Sequence, residues 1–111
     1  MGLGLAILLA GPAWATQPGK CTLLTESTGS EVLSDQPARL CLVEFTATAA
    51  NGWAQVYDAG AVTQTAANLA EPSANLAYDH AVVDFGEVGH ITDQGLGVYV
   101  VNGRVRIRWG R

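Results

Sequence analysis

The sequence predicts an all-β domain: a compact antiparallel β-sandwich, jelly-roll-like, of six to eight short strands and ending in a β-hairpin. Three observations predict it. Apolar and polar residues alternate along several short segments, the period of a strand with one buried face. Clusters of Gly, Asn, Ser and Pro separate those segments at roughly 8 to 15 residues. Two Asn-Gly dipeptides, Asn51-Gly52 and Asn102-Gly103, each lie between alternating runs, the strongest short-range signal for a hairpin.

The last segment, Leu96 to Arg111, carries the clearest pattern. A two-residue type I′ turn at Asn102-Gly103 pairs Val100 with Val105, Val98 with Ile107, and Leu96 with Trp109. All of these are apolar. The opposite face then pairs Val101 with Arg104, Tyr99 with Arg106, and Gly97 with Arg108. A slip of one residue mixes the two sets, so turn and pattern predict the same register.

Earlier elements follow in order. Cys21 to Thr25 reads as a first strand, ended by Thr28-Gly29-Ser30, and Glu31-Val32-Leu33 as a short second one. Arg39 to Ala50 is long, β-branched and aromatic, and leads through Asn51-Gly52 into Trp53 to Asp58. Val43, Phe45, Ala47, Ala54 and Val56 form the core face of that predicted hairpin. Leu42, Glu44, Thr46, Thr48, Trp53, Gln55 and Tyr57 form a mixed face that meets solvent or a partner. Ala59 to Ser73 is ambiguous: one strand near Ala61 to Thr65, or a loop, with Glu71-Pro72-Ser73 as a break. Leu76 to Phe85 is a strand candidate, and Gly86 to Gly95 a glycine-rich connection.

At 111 residues the chain is one domain, with an apolar leader at residues 1–15 preceding the sandwich at 16–111. The leader ends in Ala13-Trp14-Ala15, which fits a signal-peptidase site, yet no basic residue precedes its apolar run. It reads either as a signal-like leader or as an uncleaved packing arm, and it is too short for a stable membrane span.

The net charge of −4 hides an asymmetry. Arg104, Arg106, Arg108 and Arg111 are four of the six basic residues, and all ten acids precede them. Alternation places Arg104, Arg106 and Arg108 on one face of one strand. A negative protein with so few basic groups is a poor match for nucleic acid, whose binding needs several phosphates neutralised together. The stripe therefore either contacts an acidic protein surface, pairs with acids on adjacent strands, or keeps an edge strand soluble.

Cys21 and Cys41 are the only cysteines. In an exported chain they are disulfide partners, closing a loop of about twenty residues worth roughly 3 kcal/mol. In a cytosolic chain they are small buried residues.

Three segments, LCLVEFTATAANGWAQVYDAG (40–60), VVDFGEVGHI (82–91) and GLGVYVVNGRVRIRW (95–109), together resemble small all-β bacteriophage proteins of the virion, capsid decoration or tail accessory proteins. The resemblance covers roughly the last seventy residues in order and spacing, and contains no catalytic motif. It implies a β-sandwich that adds onto a capsid or tail, a symmetric oligomer, residence in the virion, and function through surfaces alone. Under it, Trp53, Tyr57 and Tyr99 are the expected partner-binding aromatics, assisted by Arg104, Arg106 and Arg108. The alternative is a secreted or periplasmic β-sandwich binding module with a Cys21–Cys41 disulfide; a carbohydrate-binding domain is a third possibility.

Catalysis finds no support. No Gly-x-Ser-x-Gly elbow or phosphate-cradling glycine loop occurs, and neither cysteine has a base at a recognisable spacing. Asp79, Asp84, Glu87 and Asp93 with His80 and His90 are the one cluster suited to a metal or to acid–base work. Their spacing matches no ligand motif, so they read as solvated turn residues, and no cofactor is expected.

Overall fold

The structure, a computed structural model, describes residues 18–62, 67–73 and 80–111. The expected leader at 1–15, the strand near Ala61 to Thr65 beyond Val62, and Asp79 lie outside those residues. Within them the chain is all-β. Nine strands run β1 (Leu23–Ser27), β2 (Glu31–Ser34), β3 (Ala38–Ala47), β4 (Trp53–Asp58), β5 (Ala67–Ala70), β6 (His80–Asp84), β7 (His90–Thr92), β8 (Leu96–Val101) and β9 (Gly103–Gly110).

They form two antiparallel sheets. One has the order β1-β9-β3-β6, with β7 also on β3, and the other has the order β2-β8-β4-β5. Leaving β7 aside, this is the strand order of a jelly roll, in which the chain repeatedly crosses from one sheet to the other. The long strand β3 organises the first sheet. β9 pairs along one side of it, while β6 covers residues 42–46 and β7 covers residues 38–40 of the other. Thr92 fastens β7 to β3: its hydroxyl accepts the Ala38 amide (3.1 Å) and donates to the Ala38 carbonyl (3.2 Å).

The predicted terminal hairpin is absent. Leu96–Val101 and Gly103–Gly110 are both strands, but they belong to different sheets; β8 pairs with β2 and β4, and β9 with β1 and β3. The same holds at Asn51-Gly52, which carries the chain from β3 in one sheet to β4 in the other. The physical reason lies in the backbone. A type I′ turn needs positive φ at both central residues. Here Asn51 (60°) and Asn102 (52°) have it, while neither following glycine does. One left-handed residue bends each chain around a corner between layers. The glycines serve close packing: a β-carbon on Gly52 would meet the Asn102 carbonyl, and one on Gly103 the Phe45 ring.

Alternation survives the change in pairing. Leu96, Val98 and Val100 point inward from one sheet, and Val105, Ile107 and Trp109 point inward from the other. Val98 and Ile107 are therefore members of one core seen across two layers, with Val98 beside Glu31 and Val56, and Ile107 beside Thr25 and Val43. Leu40, Val43, Phe45, Ala47, Ala54 and Val56 complete that core.

β3 is bulged between Leu40 and Leu42 where it pairs with β9. Cys41 sits at the bulge, fully buried and disulfide-bonded to Cys21. Arg39 holds the chain just before that disulfide. Its guanidinium donates to the carbonyls of Pro18 and Gly19 (both 3.0 Å) and of Val88.

Candidate interaction surfaces

The sandwich presents two outer faces, and their residues can be read from strand register. On the β1-β9-β3-β6 sheet, outward residues stand in rows. Thr46 lies between Arg104 and His80, Glu44 between Arg106 and Val82, and Leu42 between Arg108 and Asp84. At the far edge, β1 sets Glu26 beside Arg106 and Leu24 beside Arg108.

Arg106 is held by carboxylates on both sides, at 3.5 Å from Glu44 and 4.0 Å from Glu26. Glu44 also meets the His80 ring nitrogen at 2.9 Å. These groups are substantially exposed, where a single ion pair contributes about 0–1 kcal/mol; they set side-chain direction more than stability. Arg104 and Arg108 have no ion pair among the described residues, and Arg104 is exposed. Among the described residues the middle of the stripe is thus neutralised and its two ends are not. Leu24 (59% exposed) and Val82 (50%) give the face an apolar residue at each edge.

The β2-β8-β4-β5 sheet carries an aromatic face. Trp53 on β4 and Tyr99 on β8 stack with ring centroids 5.5 Å apart and planes inclined by 17°, both half-buried. They are diagonal neighbours: Trp53 pairs with Val101, and Gln55 with Tyr99. Tyr57 departs from the expected role of partner contact. It points to this outer side but is fully buried, with its ring laid over Gly97, its cross-strand partner. Its hydroxyl has no hydrogen-bond partner among the described residues.

Because β8 and β9 lie in different layers, the six expected partner residues do not share a surface. Trp53 and Tyr99 occupy one side of the sandwich, while Arg104, Arg106 and Arg108 occupy the other. The expected pairing of Tyr99 with Arg106 is replaced by Tyr99 beside Gln55 and Arg106 beside Glu44 and Glu26.

The acid and histidine cluster is likewise dispersed. His80 pairs with Glu44, Asp84 accepts the Gly86 amide (2.7 Å), and the His90 ring leans on Phe85 with centroids 6.2 Å apart. Among the described residues no three such groups come together as metal ligands. No helix among them is long and apolar enough to cross a membrane.

Two polar anchors were not singled out from sequence. The Asp58 carboxylate accepts the amides of Asp93 (3.1 Å), Gln94 (2.8 Å) and Gly95 (3.2 Å), fixing the turn before β8. Its signal was a strand ending in Tyr-Asp before Ala59-Gly60. Arg39 is the other, and its signal was a lone cation beginning the longest apolar strand. Comparison with protein-family models, curated proteins and solved structures finds no match for this chain.

Proposed function

We propose that this protein is a non-enzymatic structural component of a virion, a capsid decoration or cement protein or a tail accessory, acting through protein–protein contacts. The observation that carries the reading is the back-to-back placement of two unlike faces on one core. Trp53 and Tyr99 offer a stacked aromatic platform, and Arg104 and Arg108, which have no ion pair among the described residues, offer cations on the reverse side. A thin module decorated on both sides suits a role between two protein surfaces. The jelly-roll strand order recurs in viral capsid and lectin domains, which supports the reading by analogy of fold alone. The resemblance of segments 40–60, 82–91 and 95–109 to phage virion proteins points the same way.

The test uses purified particles assembled with Trp53→Ala or Arg108→Glu, one substitution per face. Each should lower occupancy on the particle while the circular dichroism spectrum stays unchanged. Full occupancy with both variants would remove the two faces from the mechanism.

The Cys21–Cys41 disulfide favours a second reading, an exported binding module in the secreted or periplasmic space. Disulfides persist in oxidising compartments, on virion surfaces as well as outside cells. Intact mass separates the readings. A chain beginning at Thr16 favours export, and a full-length or Met-trimmed chain favours the virion.

A further inference from the structure

From the edge of the arginine-bearing sheet we infer that a second copy of this chain docks on β6, antiparallel and centred on Val82, joining two sheets into one. The inference refines the self-association expected of the proposed virion accessory, and the pairing itself depends only on the strand.

Three observations carry it. First, β6 ends its sheet, and among the described residues nothing pairs with its outer side. The Phe85 amide donates to the Cys41 carbonyl (2.8 Å), so by alternation the backbone groups of Ala81 and Val83 also face β3. Those of His80, Val82 and Asp84 face outward, a row of unpaired donors and acceptors that templates another strand.

Second, the strand is self-complementary in its polar groups, with an imidazole and a carboxylate equally distant from its centre. A two-fold axis through Val82 sets His80 of one copy opposite Asp84 of the other, twice, as a closed dimer requires. It also sets Ala81 opposite Val83 on the core side, keeping apolar residues together. The three outward-facing pairs would exchange about six main-chain hydrogen bonds.

Third, the groups that would meet have capacity left. One His80 ring nitrogen is taken by Glu44 and one Asp84 oxygen by the Gly86 amide. The second nitrogen and the second oxygen have no partner among the described residues. Val82 is half exposed at the centre of the seam, where the two copies would bury it.

The other sheet edges lack this match: β7 is only three residues long and about Ile91 would set His90 against Thr92. β1 paired with itself about Thr25 would set Leu24 against Glu26. β2 is interrupted by an irregularity between Val32 and Ser34, and β5 carries no charge. A five-residue seam lies at the small end of specific interfaces, so the dimer should be weak and concentration-dependent.

Sedimentation equilibrium of the full chain from micromolar to millimolar concentration reads the association directly. The average mass should rise toward twice the monomer. Val82→Lys should hold it at the monomer value, since a lysine at the centre of an edge strand blocks pairing. Asp84→Lys alone leaves both ends of the seam basic, and His80→Glu alone leaves both ends acidic; each should stay monomeric. Mixed in equal amounts, the two variants should regain the dimer, because each then supplies the charge the other lacks. Val82→Cys, which leaves the charges in place, should cross-link under mild oxidation. A wild-type chain that stays monomeric throughout overturns the inference, and leaves the proposed attachment to foreign virion partners standing. A dimer indifferent to Val82→Lys, or not restored by mixing, overturns it too, by placing the contact elsewhere.

Discussion

The Asn102 carbonyl oxygen occupies the space that a β-carbon on Gly52 would need, so the two corners of the sandwich interlock. The same oxygen accepts the Thr48 amide at 2.9 Å, and the Asn102 side chain donates to the Ala50 carbonyl at 3.3 Å. One corner leads from β3 to β4, the other from β8 to β9, and each is shaped by a single asparagine with positive φ. Gly52→Ala should therefore destabilise the fold by about 1–3 kcal/mol, the usual cost of forcing a methyl group into a filled space. A lowered midpoint in urea with an unchanged slope is the expected readout.

Asp58 should matter more than its half-buried position suggests. Its carboxylate is the common acceptor for three consecutive amides, Asp93 to Gly95. Asp58→Ala strands those donors and should cost about 1–3 kcal/mol. Asp58→Asn retains one carbonyl acceptor and should cost less. Denaturant titration of the three proteins ranks them.

Tyr57→Phe should leave stability unchanged or raise it slightly. The Tyr57 hydroxyl is buried without a partner among the described residues, and removing such a group removes its desolvation cost. Tyr57→Ala should cost about 3–5 kcal/mol, because it empties the space over Gly97. Thermal melts of the two variants should move in clearly different amounts.

Breaking the Cys21–Cys41 bond should lower stability by roughly 3 kcal/mol in the chain-entropy account of a loop this long. The two cysteines are 20 positions apart. Melting with and without reductant measures the effect, and the Cys21→Ser, Cys41→Ala double substitution should reproduce the reduced midpoint.

What alternation dictates was legible in the sequence, and what pairing dictates was not. Val98, Val100, Val105 and Ile107 fall on the core side, as do Val43, Phe45, Ala54 and Val56. A hairpin and a corner between layers impose the same inward parity on the flanking strands, so the apolar pattern cannot tell them apart. The distinction rested on the φ of Gly52 and Gly103, which asparagine-glycine composition leaves open. The strand His90–Thr92 was missed because three residues in a glycine-rich stretch carry no period; it exists because the lower half of β3 offers an edge. Tyr57 has the outward parity its position predicts, yet the bare backbone of Gly97 leaves a trough that takes its ring. Disulfide pairing was one of two sequence alternatives for the cysteines, and the buried bulge at Cys41 is where the bond forms.

The separation of Trp53 and Tyr99 from the arginine stripe by a two-layer core has a bearing on binding strength. Sheets packed face to face lie about 10 Å apart, so anything held on one side stays within a short, rigid distance of the other. Capture by either side would then convert the opposite contact into a near-intramolecular event, at an effective concentration of order millimolar. Two individually feeble attachments could in this way fasten as firmly as one strong one, and loss of either would release both.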